Sequence, residues 1–339
     1  MQFEVIHSLE EFELLADEWN NLLSFSASHV PFLRHEYLST WWKTLGGGEW
    51  SHAELNVVFA REGDKLVGIA PLFFTENLEG EPALMLLGSI EISDYLDVIA
   101  RPENLSAFLE ELLAFLESSQ LPPWQVLDWY NILETSPTLP ALQKATERCG
   151  WQYLQEKLQH CPYIPLPADW ETYLAGIDKK QRHEIRRKIR RAESNSAPVR
   201  WYIVEAESDL DAEIDELIHL MAQDAEKERF LTDVMRSQMQ AAVHAAFQAG
   251  WLQLAFLEVD GKKAAGYLNF DYGDHIWVYN SGLNYDLGEL SPGWVLLAYL
   301  LQWAMQNGRT MFDFMRGDED YKYRFGAIDR YVVRASVRR

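Results

Sequence analysis

Between residues 55 and 74 the chain reads LNVVFAREGDKLVGIAPLFF: an apolar run, a turn around Glu62-Gly63-Asp64, and a second apolar run. Residues 252 to 272, LQLAFLEVDGKKAAGYLNFDY, repeat that arrangement around Asp260-Gly261, with Gly68 and Gly266 at matching places. Strand-length apolar runs joined by a short Gly turn predict β-hairpins. The sequel is duplicated too. After the first hairpin the pattern predicts a strand over 95–100, a helix over 104–118 and a strand over 125–130; after the second, a strand over 275–281, a helix over 292–307 and a strand over 310–315. Each half therefore predicts antiparallel strands followed by a β-α-β unit, with helices upstream of the hairpin. The fold class is α/β (α+β): two tandem domains, each a mixed, largely antiparallel sheet flanked by helices. CPYIPLPADW (161–170) has three prolines in six positions and suits a linker, because proline stiffens the chain and does not join a sheet interior. The boundary is placed near Pro167, giving domains 1–165 and 166–339. The terminal RYVVRASVRR predicts an edge strand with a cationic tail.

A chain of 339 residues, 48 % apolar and 13 % aromatic, can bury two cores. Its net charge of −22 repels phosphate backbones, so nucleic acid is not an expected partner. Cys149 and Cys161 show no CxxC spacing and no basic region leads into an apolar run at the N-terminus, so a cytoplasmic, disulfide-free protein is expected. The longest apolar run, Trp294 to Met305, is broken by Gln302 and is shorter than the about 20 residues that cross a bilayer. Against the acidic background one segment stands out. Asp178 to Glu193, DKKQRHEIRRKIRRAE, holds eight Lys or Arg, while Leu174, Ile177, Ile185 and Ile189 recur at helical spacing. Two readings stay open: a solvated helix face held by surrounding acids, or a site for a phosphorylated ligand, an anionic glycan or a membrane surface.

Nucleotide P-loops, dinucleotide fingerprints, zincin helices and nucleophile elbows are missing, and the nine histidines lack metal-ligand spacing, so no metal is expected. Two stretches remain. In LGELSPGWVLLAYLLQWAMQNG (287–308), Ser291 can cap a helix, Pro292 suits its first turn, and Gly293 leaves the free amides accessible, a pocket for an anion or simply a good helix start. It lies between two strands of a β-α-β unit, where ligands commonly sit. In TMFDFMRGDEDYKYRFG (310–326), Arg316, Asp318, Glu319, Asp320, Lys322 and Arg324 crowd the end of a strand. They are either a functional cluster or a structural Arg316–Asp318 pair with Tyr321 and Phe325 packing on the core. In the first half, Asp94 and Asp97 are three apart and do not share a strand face, so one is expected to point to an inter-domain cleft, unless both are solvated at a strand end.

SDYLDVIARPE (93–103), KKQRHEIRRKIRRAE (179–193), SPGWVLLAYLLQWAMQNG (291–308) and FDFMRGDEDYKYRFG (312–326), with PFLRHEYLSTWWKTLG (31–46), together resemble the GNAT acyltransferase superfamily, in its tandem-domain CelD-like and FemAB-like branch. The resemblance implies transfer of an acyl group from acetyl-CoA or another acyl-CoA to an amine or hydroxyl. It puts the pantetheine arm between strands 275–281 and 310–315, beside Tyr279 and Asn280, whose amides would stabilise the oxyanion. It puts the pyrophosphate at Gly288, Ser291, Pro292, Gly293 and Trp294, although the usual Q/R-x-x-G-x-G/A loop is absent. Asp318 or Asp313 would accept the amine proton and Tyr321 would protonate the thiolate, while Arg316 and Lys322 would hold an anionic substrate, with Asp94 and Asp97 on the acceptor side. The first half has Arg101-Pro102-Glu103 in place of Ser-Pro-Gly, so the donor is assigned to the second half. The expected function is acyl-CoA-dependent N-acylation, with an amine such as an amino sugar or another envelope or exopolysaccharide precursor as acceptor. In the FemAB-like branch the donor can instead be an aminoacyl-tRNA; a third reading is a non-catalytic partner of a polysaccharide-synthesis machine.

Overall fold

A computed structural model describes all 339 residues. The strands along the chain are β1 (Gln2–Ile6), β2 (Glu54–Glu62), β3 (Lys65–Glu76), β4 (Pro82–Leu86), β5 (Ile99–Ala100), β6 (Val126–Leu133), β7 (Gln152–His160), β8 (Tyr163–Pro165), β9 (Val199–Ile203), β10 (Leu252–Val259), β11 (Lys262–Tyr272), β12 (His275–Leu283), β13 (Met311–Asp313) and β14 (Tyr331–Arg338). The helices are α1 (Leu9–Glu13), α2 (Ala16–Leu23), α3 (His35–Gly48), α4 (Leu105–Phe115), α5 (Thr138–Cys149), α6 (Trp170–Gly176), α7 (Lys179–Glu193), α8 (Leu210–Met221), α9 (Ala225–Phe230), α10 (Asp233–Gln248), α11 (Pro292–Gln306) and α12 (Asp320–Arg324). Both predicted hairpins, β2–β3 and β10–β11, form where the alternation and Gly turns put them.

The chain divides into two units, Met1–Gln159 with Tyr331–Arg339, and His160–Arg330. This departs from the division near Pro167 in two ways. Tyr163–Pro165 pairs antiparallel with β13, so the proline-rich stretch is the first strand of the second sheet rather than a linker. It is an edge strand, where a proline costs no ladder bond. The chain end, in turn, returns to the first unit: β14 lies between β6 and β7, an interior place instead of the expected edge. Val332, Val333, Ala335 and Val337 are all fully buried there.

In the first unit the sheet runs β1-β2-β3-β4-β6-β14-β7, with β4 and β6 parallel. β4 and β5 lie on the same side of β3 and make one interrupted strand, since Leu72 faces Leu86 and Ile69 faces Ile99. The predicted strand over 95–100 is thus reduced to Ile99–Ala100, and the residues before it leave the sheet as an irregular, mostly buried excursion.

In the second unit the order is β8-β13-β12-β11-β10-β9, with β12 and β13 parallel around α11. Leu257, Tyr267, Ile276 and Val278 face α11 and the apolar stripe of α7, where Ile185 is buried. Leu254, Phe256 and Leu268 face α8 and Met239 and Val243 of α10. Gly282 of β12 admits α8: a Cβ there would come within 2.6 Å of Leu220 Cβ and the Met221 amide. α7 begins at Asp178, whose carboxylate accepts from the Lys180 amide at 2.8 Å and the Gln181 amide at 3.3 Å, and ends with Arg190 and Arg191 at the negative end of the helix dipole.

Candidate active site

The parallel pairing of β12 with β13 covers only His275–Trp277 against Met311–Asp313, whereas β12 runs on to Leu283. From Val278 onward β12 has no strand on that side. On its other side a bulge breaks the ladder: Asn269 faces Val278 and Leu268 faces Asn280, so Tyr279 is the extra residue. The orientation of the open edge follows from the register. Asn284 donates its amide to Ala264 at 3.0 Å, and bonded pairs alternate along an antiparallel ladder, so Gly282 is bonded to β11 and Ser281 is not. The amide and carbonyl of Ser281 therefore point to the side that β13 has left.

That open edge is held by side chains. The Lys227 ammonium of α9 donates to the Ser281 carbonyl at 2.5 Å and to Asn280 Oδ1 at 3.0 Å, and Asn280 Oδ1 also accepts the Ser281 amide at 2.9 Å. Burial pulls the Lys227 amine below the usual lysine range; Asp224 and Glu319 oppose the shift and Lys322 adds to it. Tyr267 stands opposite Ser281, and burial, reinforced by Glu319, pushes its phenol up. Tyr321 packs edge-on to Phe314 at 5.9 Å, and burial, with Tyr267 and Glu319, raises its hydroxyl well above the ordinary range. Glu319 is thus within electrostatic reach of Lys227, Tyr267 and Tyr321 beside the parted strands.

The charged stretch divides into scaffold and surface. Asp313 is 0 % exposed; it pairs with Arg330 and accepts the Met315 amide at 2.8 Å. A carboxylate so enclosed holds the strand end. Lys322, expected to hold a substrate, is also buried. Its ammonium donates to the carbonyls of Phe314 (3.3 Å), Arg316 (3.1 Å) and Gly317 (3.0 Å) and pairs with Glu319 at 2.8 Å. It folds the loop after β13 around itself. The backbone turns there through Gly317 at φ 111°, where a Cβ would lie 2.5 Å from the Glu319 carboxylate. Arg316 is half-buried and Asp318 exposed.

At the start of α11, Ser291 makes no side-chain cap, contrary to expectation; it adopts φ 53°, and its carbonyl accepts the amides of Trp294 (3.0 Å) and Val295 (3.1 Å). Pro292 is buried, Gly293 lies against Leu283, and Gly288 is exposed with open space above its Cα. Trp294 packs on Phe325 at 4.8 Å under the Lys188 ammonium, 3.7 Å from its ring centre. Arg191 lies 4.0 Å from Glu289. The basic helix thus borders this helix start. Elsewhere its cations are partly answered by acids, Arg186 by Glu171 at 2.5 Å and Arg187 by Glu184 at 2.7 Å. A groove of about 650 Å³ lined by Lys180, Gln181, His183, Glu184, Arg187 and Arg324 runs along it.

The corresponding place in the first unit is filled by the chain itself. Past Leu86 the excursion crosses to β6, where the Leu96 amide donates to the Asn131 carbonyl at 3.1 Å and Asn131 Nδ2 donates back to Ile90 (2.6 Å) and Ser93 (2.9 Å) carbonyls. Asp94 and Asp97 are 6 % and 1 % exposed, and neither is solvated. Asp97 accepts from the hydroxyls of Ser28 and Ser136 and from the Val98 amide at 2.8 Å; burial pushes its carboxyl up against those bonds. No group of three or more His, Cys, Asp or Glu is arranged to hold a metal ion, and no helix is long and apolar enough to cross a membrane.

Residues 179–323 match the family model described as an acetyltransferase (GNAT) domain. No curated protein matches the sequence. Among solved structures, similar folds include FemX (11 % identity over 99 % of this chain and 97 % of that one, TM-score 0.66). L-PGS from Bacillus licheniformis shares 12 % identity over 95 % and 91 %, TM-score 0.55. A tandem GNAT protein from the clavulanic acid biosynthesis pathway shares 12 % over 98 % of each chain, TM-score 0.50. At such identities the structural likeness is one of fold.

Proposed function

From the premise that the chain belongs to the GNAT superfamily as a tandem-domain acyltransferase, we propose that it moves an acyl group from a coenzyme A thioester to an amine. The acceptor class, an amino sugar or another precursor of envelope or exopolysaccharide, rests on the sequence resemblance. The observation that carries the donor reading is the parting of β12 and β13 after Trp277 and Asp313, which leaves a strand edge able to take a thioester arm as its partner. Tyr279, at the bulge, and Asn280 and Ser281 would line that arm. The start of α11, with Gly288, Ser291, Pro292, Gly293 and Trp294, would face the diphosphate; with few free amides there, Lys188 and Arg191 of α7 would supply the charge.

In the transfer, the amine nitrogen forms its bond to the thioester carbon, the carbon–sulfur bond breaks, the amine proton passes to a carboxylate and the thiolate takes a proton. The sequence favours Asp318 as proton acceptor; the electrostatics favour Glu319, which pairs with Lys322 and whose charge reaches Lys227, Tyr267 and Tyr321, with Asp318 and half-buried Arg316 meeting the acceptor. Tyr321 keeps its proton at neutral pH and can donate to the leaving sulfur. Isothermal calorimetry with acetyl-CoA is the direct test. Saturable heat with a matching thermal shift is expected, and neither effect with acetyl-CoA would leave a non-catalytic member of the fold. A second reading, an aminoacyl-tRNA donor, is favoured by the exposed cations of α7; binding along that helix would weaken steeply with salt, as counterion release requires.

A further inference from the structure

The lysine at the open edge of β12 has no partner strand to serve and no part in the sequence pattern. It comes from α9, which Asp224 caps by accepting the amides of Glu226 at 2.9 Å and Lys227 at 3.1 Å. Its ammonium is spent on two acceptors, both on the side of β12 that β13 has left. A thioester arm lying along that edge would meet the Ser281 amide and carbonyl and would bring its own carbonyl oxygen to the ammonium that now closes them. We infer that Lys227 is a catalytic residue of the transfer: it donates to the thioester carbonyl oxygen and holds the negative charge that builds there as the amine adds. The inference rests on the acyl-donor reading of the same edge.

The electron balance asks nothing of Lys227 beyond its hydrogen bond. The nitrogen lone pair forms the new bond to carbon, the carbonyl pair moves onto oxygen, and collapse returns it while the carbon–sulfur pair leaves with the thiolate. The ammonium keeps all its protons. Its neighbours suit the task. Asp224 and Glu319 hold a positive charge in place, while Lys322, locked on three carbonyls, is not free to compete for the same oxygen. A half-buried, preoriented cation at a developing oxyanion is worth more than one in water.

The test compares acetyl-CoA with S-ethyl coenzyme A, the same chain without the carbonyl oxygen, by calorimetry on the full-length protein. A hydrogen bond from a charged donor should make wild type prefer acetyl-CoA by about tenfold or more. Lys227→Met and Lys227→Gln should lose that preference while binding S-ethyl coenzyme A as wild type does. The thioester carbonyl stretch, read by infrared difference spectroscopy with 13C-acetyl-CoA, should shift to lower frequency in wild type and not in either variant. Equal wild-type affinity for the two ligands, or a preference unchanged in the variants, would overturn the role of Lys227 and leave the donor reading standing. Wild type binding neither ligand would overturn both. Should Lys227→Met not fold, the wild-type ratio and Lys227→Gln still decide.

Discussion

Glu319 and Asp318 are adjacent acids that the structure treats differently. Both are exposed, but Glu319 pairs with Lys322 at 2.8 Å and its charge is felt at Lys227, Tyr267 and Tyr321. With acetyl-CoA and an amino-sugar acceptor such as glucosamine, Glu319→Gln is expected to lower kcat by about 10²-fold or more, the usual worth of a positioned base, and Asp318→Asn by less than about tenfold. Thiol release measured under saturation checks both; the reverse order would return the role to Asp318. Lys227 adds a pH signature. Its pKa is lowered by burial, against Asp224 and Glu319 and with Lys322, so its charged form is lost as pH rises through a value below the usual lysine range. The kcat profile should fall on that alkaline limb in wild type and stay flat there in Lys227→Arg, because arginine does not titrate. None of this was legible in DAEKERF, where one lysine stands among three acids; the role of Lys227 depends on which strand edge α9 covers. Asp313 and Lys322 present the opposite case. Charges beside a strand end read as chemistry, yet one is enclosed by Arg330 and the other by carbonyls of its own loop.

Elements with local signals are legible in the sequence, and those defined by distant partners are not. Hairpins β2–β3 and β10–β11 follow from alternation and a Gly turn, and α7 and α11 from apolar spacing and an Asp or Pro start. The buried run DYLDVIA instead reads as a strand because burial alone does not distinguish a ladder from an enclosed loop; Asn131 on β6 and the serines on Asp97 draw it out of the sheet. Close approach between elements left a faint mark, a glycine in an apolar strand. Gly282→Ala would force α8 away from β12, since the new Cβ would sit 2.6 Å from the Met221 amide. Urea unfolding should show a loss of about 1–3 kcal/mol, the range for overpacking, with coenzyme A affinity falling because the same strand carries the open edge. Unchanged unfolding would mean that α8 yields freely.

For the whole molecule the decisive feature is the strand exchange around residue 160: β8 opens the second sheet, and β14, the last strand made, completes the first. A sequence of valines with two arginines gives no hint of which sheet it enters. The partner that decides is Asp128, 0 % exposed on β6, which Arg334 meets at 2.6 Å while also reaching Glu79 at 2.6 Å and Glu156 of β7 at 3.6 Å. Removing the guanidinium leaves a buried carboxylate with Asn77 and Ser336 as its remaining partners, so Arg334→Met should cost about 3–5 kcal/mol, read from denaturant unfolding of the first unit. A larger change follows from the topology. The first unit's sheet is not complete until residues 331–338 are available, so it finishes folding after the second unit's residues have been made. A chain ended after Arg330 should therefore lose hydrogen-exchange protection over β6 and β7, which flank the missing strand, while β10, β11 and β12 keep theirs, because every strand of their sheet lies within His160–Arg330. Equal protection of β6 in the shortened and full chains would show that β14 is an accessory strand, and equal loss in β11 would show that the second unit depends on the first for its stability.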